Sequence, residues 1–450
     1  MTAVDPQPLR RPGPYEPREP HGQPAQSDVP SDALLLPGSP VLRRLQLAVA
    51  AAGLAAFAML YSTQASLPRI AAAFGVDATL SSLTVSVTTG ALAISVLPMS
   101  ALAERFGPVR VMIVGLVVGC LCVGLGAAAP DFPLFLMSRG AAGIALSSVV
   151  AVAMGHIGDR VHPRAAAPAI GMYVSATSLG GLLGRLIPAG LDAHAGWRTA
   201  VAAVAGVGAL CTIVFAVMVP GGIRAGPART AAGRGTNGGS TRAADEGSGP
   251  GAGSGAGSGA TIRRHLRDRG ILRLCGVGMA LMGGFVATYN YLTYRLTEEP
   301  FHLSSATIGL VFCAYLAGTL TSTVAGQLTV RLGRRPVLLG AVAVALSGLA
   351  LTVPDNLGCV LIGLVVYTAG FFAAHSVASS WIGARAGTGR AEASALYLLG
   401  YYLGSSVGGT LIGLAWTAAG WPATVACVAA TQLAAALLAP RVELTTSAAA

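Results

Sequence analysis

The sequence contains no lysine, and only 10% of its 450 residues are charged. A soluble domain of ordinary composition carries about 25% charged residues, so most of this chain's surface is too apolar to face water. Hydrophobic residues make up 53% of the chain, and its mean hydropathy is +0.66. These figures exclude a soluble globular domain of this size and indicate a chain that lies mostly in a lipid bilayer.

The missing lysine also excludes one class of nucleotide site. A phosphate-binding P-loop ends in G-K-[ST], which the glycine-rich run at residues 247–260 cannot supply. The apolar segments hold no acid–base pair, no histidines at metal-ligand spacing and no nucleophile motif. The seven cysteines all lie in apolar stretches, which is typical of small packing residues. We therefore expect no enzyme, no metal and no cofactor.

Long apolar runs are what the sequence has in abundance. A bilayer core about 30 Å thick needs about 20 apolar residues per helix. By this criterion the sequence predicts an all-α membrane protein with twelve transmembrane helices. The spans are predicted near residues 45–66, 81–103, 111–129, 132–155, 166–189, 199–219, 271–294, 304–329, 336–353, 357–379, 393–415 and 421–439.

The polar stretches between these spans predict the organisation of the chain. Proline-rich, linker-like and tail segments lack the apolar residues of a packed core, and glycine-rich composition is typical of a flexible tether. The predicted parts are a disordered tail rather than a signal peptide at 1–41, a six-helix bundle at 42–220, a cytoplasmic Gly/Arg-rich linker at 221–269, a second six-helix bundle at 270–440 and a short tail at 441–450.

The 29 arginines predict the orientation in the membrane. If the N-terminus is inside, only Arg69, Arg198 and Arg295 fall in loops on the opposite side, while Arg139 and Arg185 fall inside spans. Positive charge is retained on the cytoplasmic side, so we expect a bacterial plasma membrane protein with both termini in the cytoplasm. The net charge of +11 then reflects topology, and no nucleic-acid partner is expected.

The two predicted bundles repeat each other in sequence. Gly196-Trp197 recurs as Gly420-Trp421 at an offset of 224 residues, and Arg105-Phe106-Gly107 recurs as Arg331-Leu332-Gly333 at an offset of 226. Span five also matches span eleven at the offset of 224. The alternative, an accidental match between glycine-rich helices, does not explain why the matches follow the same helix order. Two parallel halves around a central axis are therefore expected.

Residues 100–110 after span two resemble the loop signature G-x-L-A-D-R-x-G-R-R of the major facilitator superfamily, and residues 326–335 resemble its second copy. Acidic and basic side chains there can pair across the loop and with helix ends, which would form a latch that breaks when the halves rock. The predicted latch residues are Glu104, Arg105, Gly107, Arg110, Gly326, Arg331, Gly333 and Arg334. Val330 stands where the second copy should have an acid, so that latch is expected to be weaker.

A closer resemblance extends over residues 42–440. Arg139-Gly140-x-x-Gly143 resembles the R-G-x-x-G motif of the superfamily. The segments 171–185, 289–292 and 397–406 are similar to its arabinose-efflux-permease-like, or drug-exporter, subgroup. Span five lacks the proline of that subgroup's G-P-x-x-G-G motif. The resemblance implies secondary transport by alternating access, commonly proton-coupled export.

Arg139 and Arg185 are the first candidates for substrate binding, because a charge inside the bilayer is costly and is usually functional. Neither has an acidic residue well inside any span as a partner, so an anionic ligand is favoured. Both are expected near the central cavity. The alternative for Arg139 is bonding to carbonyls and hydroxyls of neighbouring helices.

Polar and aromatic side chains of other spans complete the predicted site. These candidates are Tyr61, Gln64, Asn290, Tyr294, Tyr315 and Tyr401. The alternative is an interfacial aromatic belt, which suits Tyr294 best. His375 is the candidate for proton coupling, since histidine titrates near neutral pH; a satisfied polar contact is the alternative. Gly180, Gly184, Gly404 and Gly408 predict faces where opposite halves meet, with packing inside one half as the alternative.

These observations favour a secondary transporter that exports a small organic solute or drug by proton antiport. Uptake or exchange of an organic anion through Arg139 and Arg185 is an alternative, and a non-transporting sensor of the same fold is a third. The expected partners are a small-molecule substrate, protons and the lipid bilayer, and a monomer is expected.

Overall fold

The structure is a computed structural model that describes residues 35–220, 256–387 and 389–439. Residues 1–34 of the predicted N-terminal tail, residues 221–255 of the predicted linker and the whole predicted C-terminal tail lie outside this range. The described chain is α-helical, and its β structure is an isolated bridge between Leu35 and Val161. The helices are α1 (Pro40–Leu60), α2 (Leu67–Phe74), α3 (Ala78–Phe106), α4 (Pro108–Ala127), α5 (Phe132–Arg160), α6 (Pro163–Met218), α7 (Ala256–Arg267), α8 (Arg269–Thr297), α9 (Ser305–Val311), α10 (Tyr315–Leu332), α11 (Arg334–Leu351), α12 (Leu357–Ala386) and α13 (Arg390–Leu438).

Local sequence explains where these helices begin and turn. Asp77, Asp131 and Asn356 cap α3, α5 and α12, and each side chain accepts a hydrogen bond from a backbone N–H three residues on. Gly107 and Gly333 join α3 to α4 and α10 to α11 with φ of 93° and 81°, which favours glycine. The two turns therefore share one geometry in the two halves, as the repeat predicted.

Ten helical segments in the described residues are long and apolar enough to cross a membrane. Two of them, Arg164–Met218 and Glu392–Leu438, contain 55 and 47 residues, which is enough for two crossings each. Non-helical backbone interrupts them at Gly196 and at Ala419–Gly420. Dividing them there, at the repeated Gly-Trp pairs, gives twelve segments, which equals the predicted number of spans.

Glycines bring helices of the same half into close contact. A Cβ at Gly180 or Gly184 of α6 would collide with the α1 backbone at Leu54 or Ala58. The prediction that these glycines lie where opposite halves meet is therefore wrong, and the alternative of packing inside one half is correct. Gly404 and Gly408 of α13 contact α8 in the same way, at Met279 and Gly283.

Helix α7 differs from the predicted flexible linker, which was expected to reach residue 269. Its His265 Nε2 lies 3.0 Å from the Gly389 carbonyl oxygen, on the turn before α13. Just after α7, Asp268 accepts hydrogen bonds from Arg385 of α12, at 2.9 Å from Nη2. Partial burial alone would raise the pKa of Asp268, but the hydrogen bonds from Arg385 and from the Gly270 N–H outweigh it and lower the pKa. The end of the linker is thus fixed to the second half.

Contacts between residues 35–220 and residues 256–439 gather at one end of the bundle. We call this the closed end; it holds the end of α1, the start of α3 and the end of α8, and the opposite end is the open end. Helix α6 packs on α9 at the closed end, and no comparable packing of α6 on α10 is found among the described residues. The hydrogen bonds that join the two halves in the described chain are Gln64–Asn290, Leu67–Tyr294, Thr79–Thr417, Ser81–Tyr294, Ser82–Tyr291 and Thr89–Ser405.

The predicted latch residues all lie at the open end. Glu104 and Arg105 are exposed, and Arg105 stacks on the ring of Phe106 with 5.2 Å between its guanidinium carbon and the ring centroid. Among the described residues no ion pair of Glu104 is found. Of the remaining latch residues, Gly107 and Gly333 form the two turns of this end, Arg110, Arg331 and Arg334 lie in the helix ends beside them, and Gly326 lies in the last two turns of α10. The latch itself stays a prediction.

Candidate functional site

Arg185 of α6 is only 2% exposed and contacts residues of both halves. Its Nε donates to Gln64 Oε1 at 2.7 Å, and its Nη1 donates to the Gly181 carbonyl at 2.5 Å. Both partners are neutral. The positive charge is therefore held by hydrogen bonds but is not neutralised by them.

Three aromatic rings surround the Arg185 guanidinium, and we call this group the ring cage. The guanidinium carbon lies 4.0 Å from the ring centroid of Tyr61, 4.7 Å from that of Tyr315 and 5.4 Å from that of Phe312. Such cation–π contacts stabilise a desolvated guanidinium. Tyr61 belongs to the first half, and Tyr315 and Phe312 belong to the second, so the cage spans the boundary between them.

Gln64 extends this network into the second half. Its Nε2 donates to Asn290 Oδ1 of α8 at 2.7 Å, and both side chains are fully buried. Gln64 lies in the break between α1 and α2, where residues 61–63 form a turn and Gln64–Ser66 a short 3-10 helix. Asn290 Nδ2 has no hydrogen-bond partner among the described residues. The structure thus brings together Arg185, Gln64, Asn290, Tyr61 and Tyr315, all predicted from sequence.

Arg139 of α5 is also fully buried, but it lies among backbone groups rather than beside the ring cage. Its Nη1 donates to the Met59 carbonyl and to Ser62 Oγ, and its Nη2 donates to the Met59 and Leu60 carbonyls. Its Nε donates to the Thr84 carbonyl at 3.2 Å. All five N–H groups have partners. This is the arrangement of the alternative considered for Arg139, and its contact with substrate stays a prediction.

The other predicted residues lie in two separate places. Tyr294 is at the closed end, where its hydroxyl contacts Ser81 Oγ and donates to the Leu67 carbonyl. His375 and Tyr401 lie on α12 and α13 with 4.6 Å between their ring centroids. His375 Nδ1 is 2.9 Å from Tyr397 Oη, so the histidine has the satisfied polar contact considered as the alternative to proton coupling.

Sequence reasoning missed Phe312 and the partners that seal the closed end. Phe312 is an ordinary apolar residue in the sequence, and only the turn Phe312–Ala314 places its ring beside Arg185. The Gln64–Asn290 pair carried a usable signal, because the two residues are 226 positions apart, which is the offset of the repeated loop motif.

Comparison with known proteins identifies the family. A sequence model of the Major Facilitator Superfamily matches residues 49–298. "Inner membrane transport protein YnfM" of Escherichia coli is 37% identical over 392 residues, which cover 87% of this chain and 88% of that protein. "Uncharacterized MFS-type transporter YybF" of Bacillus subtilis is 30% identical over 391 residues, 87% of this chain and 91% of that protein.

Solved structures share the fold at low sequence identity. A mutant of the nucleoside transporter NupG aligns with a TM-score of 0.67 and 12% identity, over 87% of this chain and 98% of that one. A bacterial homolog of the human lysosomal transporter Spinster, in an inward-facing and unoccupied conformation, gives a TM-score of 0.64 and 14% identity, over 89% and 95% of the two chains. Helical architecture, doubled halves and sequence agree, and the chain belongs to the major facilitator superfamily of membrane transporters.

Proposed function

We propose that this protein is a secondary transporter that moves a small organic anion with an apolar or aromatic part by alternating access. The observation that carries the proposal is Arg185, a buried positive charge whose hydrogen-bond partners are neutral and which lies inside the ring cage. A carboxylate is the complementary ligand for a guanidinium, and the rings of Tyr61 and Tyr315 offer apolar faces to the rest of the molecule.

The proposed orientation places the open end in the cytoplasm. The predicted arginine asymmetry puts both termini inside a bacterial plasma membrane, and the open end then faces the cytoplasm while the closed end faces outward. In this arrangement the cross-half hydrogen bonds block the outer path, and the ring cage is reached from inside. Export therefore begins from the conformation described, with the protein acting as a monomer.

Proton-coupled export is the second candidate, and His375 supports it. Its ring is half-buried, lies beside Tyr401 and contacts Tyr397 through Nδ1, so one ring nitrogen remains to exchange a proton. An imidazole is the side chain whose charge changes near physiological pH. Protonation there would add a positive charge beside Tyr397 and Tyr401 in the second half.

Transport by proteoliposomes tests the proposal. Benzoate combines one carboxylate with one ring, and benzyl alcohol is its neutral counterpart. We expect saturable benzoate exchange, and Arg185→Ala should slow it about 10- to 100-fold, because hydrogen bonds to charged groups contribute about 1.5–3 kcal/mol. The Arg185→Lys protein should exchange benzoate at a rate between those of the unmodified and Arg185→Ala proteins, since lysine keeps the charge without the bidentate geometry.

Arg164→Ala is the matched control, because Arg164 is exposed at the open-end start of α6. Its benzoate exchange should equal that of the unmodified protein. If the Arg185→Ala protein exchanges benzoate as fast as the unmodified protein, Arg185 does not bind the substrate. An imposed pH gradient that drives benzoate movement, and a loss of that effect in His375→Ala, would select proton coupling; counterflow without any pH effect would select anion exchange.

A further inference from the structure

Gln64 connects two groups that have different tasks in the molecule. It accepts from Arg185 Nε at 2.7 Å through Oε1 and donates to Asn290 Oδ1 at 2.7 Å through Nε2. A guanidinium can only donate, so the orientation of the Gln64 amide is fixed by Arg185. The same charge that would bind an anion therefore also positions the side chain that joins the two halves.

The position of this pair in the repeat gives it a special geometry. Gln64 and Asn290 are 226 residues apart, as are the repeated loop motifs. Two equivalent residues that touch each other must lie on the approximate twofold axis that relates the halves. Rocking of the halves about the centre changes the contacts on that axis, so this hydrogen bond reports on, and resists, opening of the closed end.

The two sides of the axis differ in charge. At the repeat offset of 224, the counterpart of Arg185 is Gly409. Asn290 Nδ2 lies 3.5 Å from the point that a Gly409 Cβ would occupy, and this amide nitrogen has no partner. Asn290 thus has no charged group of its own half to hold it, and the bond depends on the Arg185–Gln64 side.

An anion that pairs with the Nε edge of Arg185 must compete with Gln64. A carboxylate binds this edge of a guanidinium in bidentate fashion through Nε and the neighbouring Nη. The Nε N–H is held by Gln64, whereas the Gly181 carbonyl, which is part of the α6 backbone, takes only one of the two N–H groups of Nη1. The Gln64 side chain lies in the short break after α1 and is the partner that can move.

We propose that Gln64 is a positioning residue that couples ligand binding to the closed end: an anion that takes Arg185 displaces Gln64 and loosens its bond to Asn290. The coupling rests on the proposed anion site. Binding of the anion then weakens the hydrogen bond between the two halves. The closed end is therefore more stable in the protein without anion than in the protein with anion bound.

Binding of benzoate to the purified protein in nanodiscs gives the first test. Gln64→Ala and Gln64→Met remove the competing amide, so each should bind benzoate about tenfold more tightly than the unmodified protein, in line with one hydrogen bond to a charged group. Gln327→Ala, an exposed glutamine on α10, is the matched control and should bind as the unmodified protein does. Unchanged binding by both Gln64 variants would mean that the anion does not displace Gln64, and weaker binding would make Gln64 a ligand-binding residue; either result would overturn the proposal.

Hydrogen–deuterium exchange of residues 61–67 and 286–296 gives the second test. Benzoate should speed exchange in both segments of the unmodified protein, and Gln64→Met should show the faster exchange without benzoate. Bound benzoate that leaves both segments unchanged would overturn the coupling. If benzoate does not bind, the anion site is disproved on its own, and thermal unfolding then tests the link through Gln64. The losses in unfolding free energy caused by Arg185→Ala and Asn290→Ala should be non-additive when Gln64 is present. They should be additive in the Gln64→Met background. Additivity with Gln64 present would overturn it.

Discussion

Arg139 and Arg185 are both buried, and their hydrogen-bond partners indicate different roles for them. Arg139 donates all five of its N–H groups to α1 and α3, and three of the acceptors are carbonyls at or beside the end of α1 or in α3. Helix ends leave carbonyls without intrahelical partners, and a guanidinium also complements the negative end of the helix dipole. Arg185 instead donates to the side-chain amide of Gln64, which can move, and contacts the rings of Tyr61 and Tyr315, which a ligand can also contact.

Replacement of Arg139 should therefore affect stability before it affects transport. Arg139→Ala removes the donor of the Leu60 carbonyl and the charged donors of the Met59 and Thr84 carbonyls, which keep hydrogen bonds from Ser62 and Thr88. A hydrogen bond to a charged group contributes about 1.5–3 kcal/mol. We expect a lower thermal unfolding midpoint and reduced yield of folded protein, with Arg139→Lys intermediate. Arg185→Ala, measured beside it, should unfold at a temperature closer to that of the unmodified protein. If the Arg139→Ala protein is as stable as the unmodified protein but has lost benzoate exchange, Arg139 contacts substrate and its role is not mainly structural.

The helices show how small residues set the distance between elements. α1 lies against α6, and α8 lies against α13, in each case through two glycines spaced four apart, so that backbones approach without side chains between them. The pairs occupy equivalent places in the two halves. Close packing fixes α1 against α6, and this places the break after α1, with Tyr61 and Gln64, beside Arg185, the residue that follows Gly184.

Adding one methyl group tests this contact. Gly184→Ala places a Cβ against the Ala58 backbone, and overpacking of this kind costs about 1–3 kcal/mol. The thermal unfolding midpoint should fall, and benzoate exchange should weaken because Tyr61 and Gln64 shift. Gly171→Ala on the same helix has open space around its Cβ, so it should be neutral or slightly stabilising through helix propensity. Equal behaviour of the two variants would contradict the packing assigned to Gly184.

In the described part of the chain, most hydrogen bonds between the two halves gather at one end, which is the geometry that the proposed alternating access requires of a single state. At the margin of the closed end, the hydroxyls of Thr79 and Thr417 lie 3.0 Å apart. Opening must separate them, and closing must bring them back. The ion pairs Arg69–Asp192, Arg295–Asp355 and Arg385–Asp268 each lie inside one half, so they can persist while the halves move.

A disulfide between the halves should lock this state. With Thr79→Cys and Thr417→Cys together, oxidation should form a bridge, because the two side chains are in contact and disulfides need Cβ atoms about 3.8 Å apart. The bridge should stop benzoate exchange, and reduction should restore it. Each single cysteine variant is the control and should keep exchange after oxidation. Full exchange by the bridged protein would mean that the closed end does not need to open.

The sequence alone determined the membrane class, the helices and the doubling of the halves, because these follow from composition, from apolar runs of bilayer length and from local turn chemistry such as Gly107 and Gly333. It also named Arg185, Gln64, Asn290, Tyr61 and Tyr315, because polar groups in apolar spans stand out one by one. Only the tertiary structure decided which of them meet. Arg139 and Arg185 look alike in the chain, yet one faces helix-end carbonyls and the other faces the rings of two halves, and that difference arises from packing between segments far apart in sequence.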